Sequence, residues 1–294
     1  MNYTLKNEFY AATVSSLGAE MISLKGRDGR ELLWQNNLGE GWANHAPLLF
    51  PFAGRLKDNE FIYGGRAYPM KIHGFADASE FSLESKTETE ITLSLSSSEE
   101  TRELFPFDFL FTATYTLDGE SVRLTVKVEN TGKKSLPYVF GWHPGFLLPS
   151  EDGQDIEDYA VKFKDKAEIV WAHGKGGILA ERHFTPYPVS NSEYRLCENE
   201  IYENDTMIFL EAGNEVTLKA DGHPYELNMS WSENLPVLCI WKIPRNEAKF
   251  ICIEPWTHLS ARGERSNYLD ERPMHRLESG KADTYEYTLK FKQD

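Results

Sequence analysis

The stretch FDFLFTATYTLDGESVRLTVKVEN, residues 107–130, decides the fold class. Apolar residues alternate with smaller or polar ones as far as Leu117, and the same alternation resumes at Val122. Asp118-Gly119 lies between the two halves. A period of two is typical of strands with one buried face, and Asp-Gly is a strong hairpin signal. The stretch therefore predicts an antiparallel β-hairpin.

Runs with a period of two recur along the rest of the chain, at residues 81–83, 91–95, 216–218, 237–243, 250–253 and 285–291. Helical periodicity is scarce. SEETREL, residues 98–104, offers an N-cap serine and an acidic first turn but is long enough only for a short connecting helix. Without alternation of strands and helices, the pattern predicts an all-β protein of antiparallel sheets packed face to face. No linker-like break in composition appears, so we expect residues 1–294 to form a single domain.

The charge of the chain bears on its partners. The formal net charge is −15, so the protein's field repels phosphate backbones and anionic lipid surfaces. The first residues, MNYTLKNEFYAATVSS, do not show a basic segment followed by an unbroken apolar run. We expect a cytoplasmic protein that binds neither nucleic acid nor membranes.

The cysteines are few. Cys197, Cys239 and Cys252 are odd in number and form no C-x-x-C pair, and two of them lie in apolar runs. This pattern favours buried, reduced side chains. A catalytic thiol is the alternative, but no histidine stands beside any of the three in the sequence.

Four polar residues stand among turn formers and apolar neighbours: Arg55, His73, His143 and Glu254. Glu254 follows the apolar run 250–253, where burial is expected to raise its pKa and suit it to act as a base near neutrality. A single such residue is more often a hydrogen-bonded structural group than a catalyst. Four of them in turns marked by glycine and proline indicate a binding site on a rigid sheet scaffold.

The order of five short motifs resembles that of a known family. Along the chain come GR at 54–55, HGF at 73–75, WHPGF at 142–146, NDT at 204–206 and IEPW at 253–256. This series is similar to that of the aldose 1-epimerase (galactose mutarotase) family, especially its bacterial LacX-like branch. The resemblance implies a large antiparallel β-supersandwich with few short helices, whose concave face holds a monosaccharide.

The resemblance also implies a role for each motif residue. Glu254 matches the general base that takes the proton from the anomeric hydroxyl, and His143 matches the general acid that protonates the ring oxygen. His73 and Arg55 match residues that hydrogen-bond the sugar, and Asp205 matches an aspartate that holds ring hydroxyls. The implied activity is interconversion of the α and β anomers of free hexoses such as galactose or glucose. One acid and one base suffice, so we expect no metal and no cofactor.

The segment FGWHPGF, residues 140–146, is built like a tight turn. We expect Gly141, Pro144 and Gly145 to fix the backbone so that the imidazole of His143 projects into the site. Trp142 could pack in the core or face the sugar, and core packing is the expectation because large aromatic side chains are mostly buried.

Two departures from the family pattern leave the substrate open. Galactose mutarotases usually carry HGG where this chain has His73-Gly74-Phe75, and an N-H-x-Y-F-N segment where this chain has His143-Pro144-Gly145-Phe146. A preference for galactose is therefore not implied. Hexose-6-phosphate mutarotases usually show HGFAR where this chain has HGFAD, ending in Asp77. Because an anion at that position repels a phosphate, the sequence favours unphosphorylated sugars.

Other classes of protein remain as alternatives. They are a hexose-6-phosphate mutarotase and a carbohydrate-binding protein without turnover. A zinc site formed by His73, His143 and Glu254 has suitable ligand types. A glycoside hydrolase would require a second carboxylate opposite Glu254, and Asp205 is the best candidate. The sequence is compatible with both a monomer and a homodimer.

Overall fold

The computed structural model describes residues 1–36, 41–149, 155–175, 178–220, 224–243, 248–259 and 267–292. Strands dominate these residues: β1 Asn2–Lys6, β2 Ala11–Ser15, β3 Met21–Lys25, β4 Leu48–Leu49, β5 Glu60–Tyr63, β6 Arg66–Pro69, β7 Ser82–Lys86, β8 Glu90–Ser96, β9 Phe109–Asp118, β10 Ser121–Asn130, β11 Leu136–Tyr138, β12 Gly141–Trp142, β13 Gly145–Leu147, β14 Tyr159–Phe163, β15 Glu168–Lys175, β16 Ile178–Pro188, β17 Glu193–Arg195, β18 Met207–Leu210, β19 Glu215–Ala220, β20 Glu226–Trp231, β21 Val237–Trp241, β22 Phe250–Trp256, β23 His275–Leu277 and β24 Ala282–Phe291. The α-helices of the described part are α1, Glu99–Leu104, and α2, Glu198–Asn204. Single 3-10 turns occupy Lys57–Asn59, Ala76–Ala78 and Ile156–Asp158.

The predicted hairpin lies within the larger sheet. Its two strands, β9 and β10, pair antiparallel from Asp118 opposite Ser121 to Phe109 opposite Asn130. They belong to a nine-stranded sheet in the order β17-β14-β19-β20-β24-β10-β9-β8-β7. Every second residue of β9 is buried, from Phe109 to Leu117, as the alternation predicts. The hairpin is therefore confirmed.

A second sheet carries the residues of chemical interest. Its strands follow the order β16-β15-β18-β21-β22-β12-β4, and β13 pairs with β22 beside β12. All the named strand pairs in the described residues are antiparallel, which confirms the predicted all-β class. The central strand β22 thus has β21 on one side and the short strands β12 and β13 on the other.

The two sheets pack against each other through aromatic side chains. Trp142 of β12 meets Tyr287 of β24 with ring centroids 5.3 Å apart, and Phe163 of β14 meets Phe209 of β18 at 6.3 Å. The hydroxyl of Tyr287 also donates a hydrogen bond of 3.1 Å to the carbonyl oxygen of Pro255 in β22. One face of β22 is therefore sealed by the nine-stranded sheet.

The smaller elements complete the described part. A three-stranded sheet joins β1, β2 and β3, and two pairs join β5 to β6 and β11 to β23. The short helix predicted at residues 98–104 is present as α1, where Ser98 is the N-cap and exchanges capping hydrogen bonds with Thr101. Neither described helix has the length and apolar content needed to cross a bilayer. The assignment of residues 1–294 to one domain stays a prediction.

Candidate active site

The site is built on β22, whose seven residues are all buried. Alternation of side chains along a strand separates them into two faces. Ile251 and Ile253 belong to the main core between the sheets. Phe250 and Cys252 belong to a separate cluster with Trp34. Glu254 is two residues after Cys252 and therefore lies on the same face of the strand. Its carboxylate is on the face of the eight-stranded sheet that is turned away from the sandwich core.

Strand register brings His143 to Glu254. Gly141 pairs with Trp256 and Gly145 pairs with Cys252, so the residue midway between the glycines lies opposite Glu254. Nε2 of His143 is 3.3 Å from Oε1 of Glu254. His143 is 5% exposed and Glu254 only 1%, which places the pair almost wholly out of water. The structure therefore brings the predicted acid and base together.

The two glycines that flank His143 are required for a reason that the sequence did not reveal. A Cβ on Gly141 would lie 2.2 Å from Cδ1 of Trp256, and one on Gly145 would lie 2.8 Å from Cζ3 of Trp42. Both distances are too short for real contacts. The glycines therefore make room for two indole rings rather than supplying an unusual backbone angle. Trp142 packs in the core as expected, 1% exposed, with its indole N–H on the carbonyl of Ala46 at 3.0 Å.

The environment of Glu254 favours its neutral form. Burial raises the pKa of Glu254 well above its usual range, and the nearby indole of Trp256 opposes that shift only in part. Neither carboxylate oxygen accepts a well-formed hydrogen bond from a described residue. A carboxylate without such partners in a dry site has a strong affinity for a proton.

His143 is shifted in the opposite sense. Burial lowers the pKa of His143 well below its usual value, and the neighbouring His73 lowers it further. Its ring lies 4.7 Å from that of Trp42 and 5.5 Å from that of Trp241, measured between centroids. Two indoles therefore wall the imidazole and exclude water from it.

His73 is held in a defined orientation and tautomer. Its backbone φ is +68°, a left-handed value that is uncommon for residues other than glycine. Its N–H donates to the carbonyl of Gly54 at 3.0 Å, and its Nδ1 accepts the N–H of Gly54 at 3.1 Å. Burial, then the charges of Arg55 and Lys71, lower the pKa of His73 to about 3. The neutral ring therefore carries its proton on Nε2, as a hydrogen-bond donor.

His73 and Arg55 lie at the rim of the pair. The His73 ring is perpendicular to that of His143, with centroids 5.3 Å apart. Both His73 and Arg55 are half-buried. The charge of Arg55 is close enough to lower the pKa of His73. The structure therefore places His73 beside His143, and Arg55 near His73.

Asp205 stands apart from the other predicted residues. It ends α2 with a φ of +65° and precedes β18. Because β18 pairs with β21, and β21 with β22, the strand that follows Asp205 belongs to the same sheet as Glu254 and lies two strands from it. No hydrogen bond or ion pair joins its carboxylate to any of the residues that the structure describes.

Asp77, proposed from the sequence to repel phosphate, has a counter-ion. Its Oδ1 lies 2.7 Å from Nζ of Lys71, and its side chain is largely buried while that of Lys71 is half exposed. This ion pair was not predicted from the sequence. It offsets the negative charge of Asp77 close to His73.

Sequence reasoning missed four side chains around the pair: Trp42, Trp241, Cys252 and Trp256. A signal existed for two of them, because Cys252 and Trp256 are two residues before and after Glu254 and must share its face of the strand. Trp241 pairs with Cys252 across β21 and β22, which requires knowledge of strand order. Trp42 comes from a distant segment, and nothing in the sequence pointed to it.

The two buried thiols lie close to Glu254. Cys239 and Cys252 are free and fully buried, as predicted, whereas Cys197 is half-buried. Burial, then the charge of Glu254, raises the pKa of both buried thiols well above the usual range. A nucleophilic thiolate is therefore disfavoured, although the structure does place a histidine near Cys252.

The described residues form a potential metal-binding group at the same place. One ligand atom each from His143, Cys252 and Glu254 lies within 4.8 Å of the others. The zinc alternative raised from the sequence had His73 as its third ligand. The arrangement in the structure has Cys252 in that position.

A cavity of about 460 Å³ lies away from the acid and base. It opens near the far ends of β18, β21 and β22, and its lining includes Leu210, Val237, Thr257, His258, Arg272 and His275. None of the five predicted site residues lines it. His143 and Glu254 therefore lie outside this cavity.

Comparison with known proteins agrees with the fold and the motifs. Residues 1–264 match the family described as aldose 1-epimerase. The chain is 30% identical over 283 residues to the plasmid-encoded protein LacX of Lactococcus lactis subsp. lactis, covering 93% of each chain. An X-ray structure from Lactobacillus acidophilus, described as a galactose mutarotase related enzyme, is 30% identical, with a TM-score of 0.93 over 100% of this chain and 98% of that one.

A second solved structure supports the fold alone. It is a galactose mutarotase-like protein from Lactobacillus casei, 24% identical, with a TM-score of 0.88 over 99% of this chain and 100% of that one. These likenesses confirm the predicted galactose mutarotase-like β-sandwich. The chain belongs to the aldose 1-epimerase family.

Proposed function

We propose that this protein is an aldose 1-epimerase that interconverts the α and β anomers of free hexoses such as glucose or galactose. The observation that carries the proposal is the buried contact of 3.3 Å between Nε2 of His143 and Oε1 of Glu254. Anomer exchange requires a proton to leave O1 while another reaches O5. These two oxygens share one carbon atom, so an acid and a base in direct contact suit them.

A single proton shared by Glu254 and His143 is consistent with the pKa shifts of both groups. Burial favours a neutral carboxyl at Glu254 and a neutral imidazole at His143. A carboxylic acid facing an imidazole holds the same number of protons as a carboxylate facing an imidazolium. The second arrangement is the reactive one, since it presents a base and an acid together. A dry site keeps that proton within the pair.

In ring opening, Glu254 accepts one proton and His143 donates one. The carboxylate of Glu254 removes the proton of the O1 hydroxyl, and the C1–O1 bond becomes a double bond. The C1–O5 bond breaks, its electron pair passes to O5, and the imidazolium of His143 protonates O5. The products are the open-chain aldehyde, a neutral imidazole and a carboxylic acid. No group is consumed.

Closure reverses the proton transfers. Rotation about C1–C2 presents the other face of the aldehyde to the O5 hydroxyl. O5 then bonds to C1 while His143 takes its proton, and Glu254 returns a proton to O1. The sugar leaves as the opposite anomer, and the protein is restored to its starting state.

The rim residues orient the sugar in this proposal. The Nε2–H of His73 donates a hydrogen bond, since its Nδ1 is occupied by the N–H of Gly54. Arg55 supplies a positive charge beside the oxygen that becomes negative during opening. Asp205 would have to meet the sugar from the far side, because it does not contact the acid and base.

Unphosphorylated sugars are the proposed substrates. A phosphate group requires a cation or backbone N–H groups. Lys71, close to His73, is already paired with Asp77 at 2.7 Å. The net charge of −15 adds a general repulsion of dianions.

Polarimetry with a panel of sugars tests the proposal. Freshly dissolved α-glucose, α-galactose and their 6-phosphates are followed with and without the protein, and a heat-inactivated sample serves as the control. We expect the protein to accelerate exchange of the free sugars, with a lower kcat/KM for the phosphates. Binding without acceleration would make it a carbohydrate-binding protein. A preference for the phosphates would assign it to the hexose-6-phosphate mutarotases.

A further inference from the structure

One buried cluster has a chemistry that the proposed reaction does not use. A ring nitrogen of His143, Sγ of Cys252 and a carboxylate oxygen of Glu254 lie within 4.8 Å of one another, and all three side chains are buried. Anomer exchange needs no thiol. Imidazole, thiolate and carboxylate are the ligands that Zn²⁺ takes from proteins.

We propose that His143, Cys252 and Glu254 form a zinc site that switches the acid and base off when the ion binds. The inference rests on the proposed function for the inhibition, but not for the binding of the ion. A metal bound to Nε2 of His143 and to the carboxylate of Glu254 occupies the two atoms between which the proton moves. Turnover and metal occupancy therefore exclude each other.

The dimensions are close to those of a zinc site. Zinc–ligand bonds of about 2.0 to 2.3 Å place neighbouring ligand atoms of a tetrahedron about 3.5 Å apart. The distance of 3.3 Å between His143 and Glu254 already fits. The remaining separations, at most 4.8 Å, require the side chains to close by about 1 Å, a shift available through rotation of χ1.

Charge balance also favours a divalent ion. A neutral imidazole, a thiolate and a carboxylate carry two negative charges, so a bound Zn²⁺ leaves the buried site neutral. Mg²⁺ and Ca²⁺ require six or more oxygen ligands, and this cluster offers one carboxylate. The thiol therefore selects for soft or borderline ions.

The chain supplies a matched control in Cys239. It is fully buried like Cys252 and lies opposite Glu254 in the neighbouring strand β21. Its sulfur is not part of the three-residue cluster. Cys252→Ala and Cys239→Ala therefore remove the same group from the same region, and only the first removes a proposed ligand.

The experiment measures metal binding and activity separately. Chelator-treated protein is titrated with Zn²⁺ under equilibrium dialysis, and with Co²⁺ while the near-ultraviolet thiolate-to-cobalt band is recorded. Mutarotation of glucose is followed in parallel by polarimetry. We expect one ion per chain, a cobalt–thiolate band and loss of turnover as the site fills. Cys252→Ala should remove the band and weaken Zn²⁺ binding at least about tenfold. Cys239→Ala should behave as the wild type.

Several results would overturn the inference. An unchanged band and affinity in Cys252→Ala would place the ion elsewhere. Loss of binding in His183→Ala would also place the ion elsewhere, since the exposed ring of His183 stacks on that of His173 at 4.0 Å. Absence of any Zn²⁺ or Co²⁺ binding would also reject it. A protein that shows the Cys252-dependent band but no mutarotation would retain the zinc site and lose the proposed function.

Discussion

Strands β10 and β22 show two ways in which a strand is buried. In β10, residues alternate between the core and the surface, with Val122, Leu124 and Val126 turned inward. In β22 every residue from Phe250 to Trp256 is buried. The second face of β10 meets solvent, whereas the second face of β22 lies beneath Trp34, Trp42 and Trp241.

The difference shows where chemistry is located. A strand with one dry face stabilises the fold through burial of apolar surface, and its polar residues cost little because they reach water. A strand with two dry faces must match any polar residue with a partner. Glu254 is the polar residue of β22, and its partner is the imidazole of His143. A carboxylate in an otherwise apolar, doubly buried strand therefore indicates a site.

Removal of the carboxylate from β22 should have the largest effect. Glu254→Gln preserves shape but cannot accept the O1 proton, and we expect kcat for anomer exchange to fall by about 100-fold or more. Ile253→Val, on the other face of the strand, is the matched control and should cost about 1 kcal/mol of stability without a change in rate. Polarimetry and urea unfolding of both variants check this. A Glu254→Gln enzyme with wild-type turnover would remove the base from the mechanism.

In β10, substitution of a core residue should lower stability and leave kcat unchanged. Leu124 is 1% exposed in the core of the nine-stranded sheet. Leu124→Ala should lower the free energy of unfolding by about 2 to 5 kcal/mol, from lost burial and the cavity left behind. The folded fraction should retain its kcat. Urea unfolding measures the loss of stability, and activity well below the unfolding temperature measures kcat. A large loss of kcat would contradict the proposed difference between β10 and β22.

Substitution of a glycine beside β22 and of a glycine beside β10 should also have different effects on activity. Gly141→Ala brings a methyl group against Trp256, and we expect overpacking to cost about 1 to 3 kcal/mol. Because Trp256 borders the pair, kcat/KM should fall as well. Gly119→Ala, in the turn between β9 and β10, meets open space at a φ of +55° and should cost about 1 kcal/mol through backbone strain alone. Equal kinetics in the two variants would contradict this account.

The last expected effect is a pH dependence of stability. Burial raises the pKa of Glu254 in the folded protein above its unfolded value. The contribution of this carboxyl to stability therefore falls as pH rises from about 4.3, the unfolded pKa, towards the folded pKa. Glu254→Gln lacks this loss, so its stability relative to the wild type should increase with pH by up to about 1.4 kcal/mol per unit. Urea unfolding at pH 4, 6 and 8 measures the difference, and a constant difference would place the carboxyl in a wet environment.

Much of the fold could be predicted from the sequence. The alternation in residues 107–130 depends only on neighbours in the chain, and it located both strands of the hairpin. The capping serine of α1 was equally local. The order of the strands in each sheet could not be predicted, because it depends on pairing between distant segments such as β4 and β12.

The candidate site was predictable in part for the same reason. The motif order predicted Arg55, His73, His143 and Glu254, and their roles stay predictions. The structure brings His143 into contact with Glu254 and places His73 beside His143. Their surroundings are tertiary: Trp42 reaches His143 from another part of the chain, and the flanking glycines exist to admit indole rings. The role of Asp205 stays a prediction, since the strand that follows it lies two strands away from β22.

The central claim is that His143 and Glu254 act as one unit that shares a proton. The kcat/KM for glucose anomer exchange, measured by polarimetry, tests it in Glu254→Gln, His143→Asn and the double variant. Groups that act as a unit are strongly non-additive, so we expect the double variant to be no more than about threefold slower than the worse single variant. Losses of about 100-fold in each single variant that multiply to about 10,000-fold in the double variant would show that the two residues work independently, and would contradict the account.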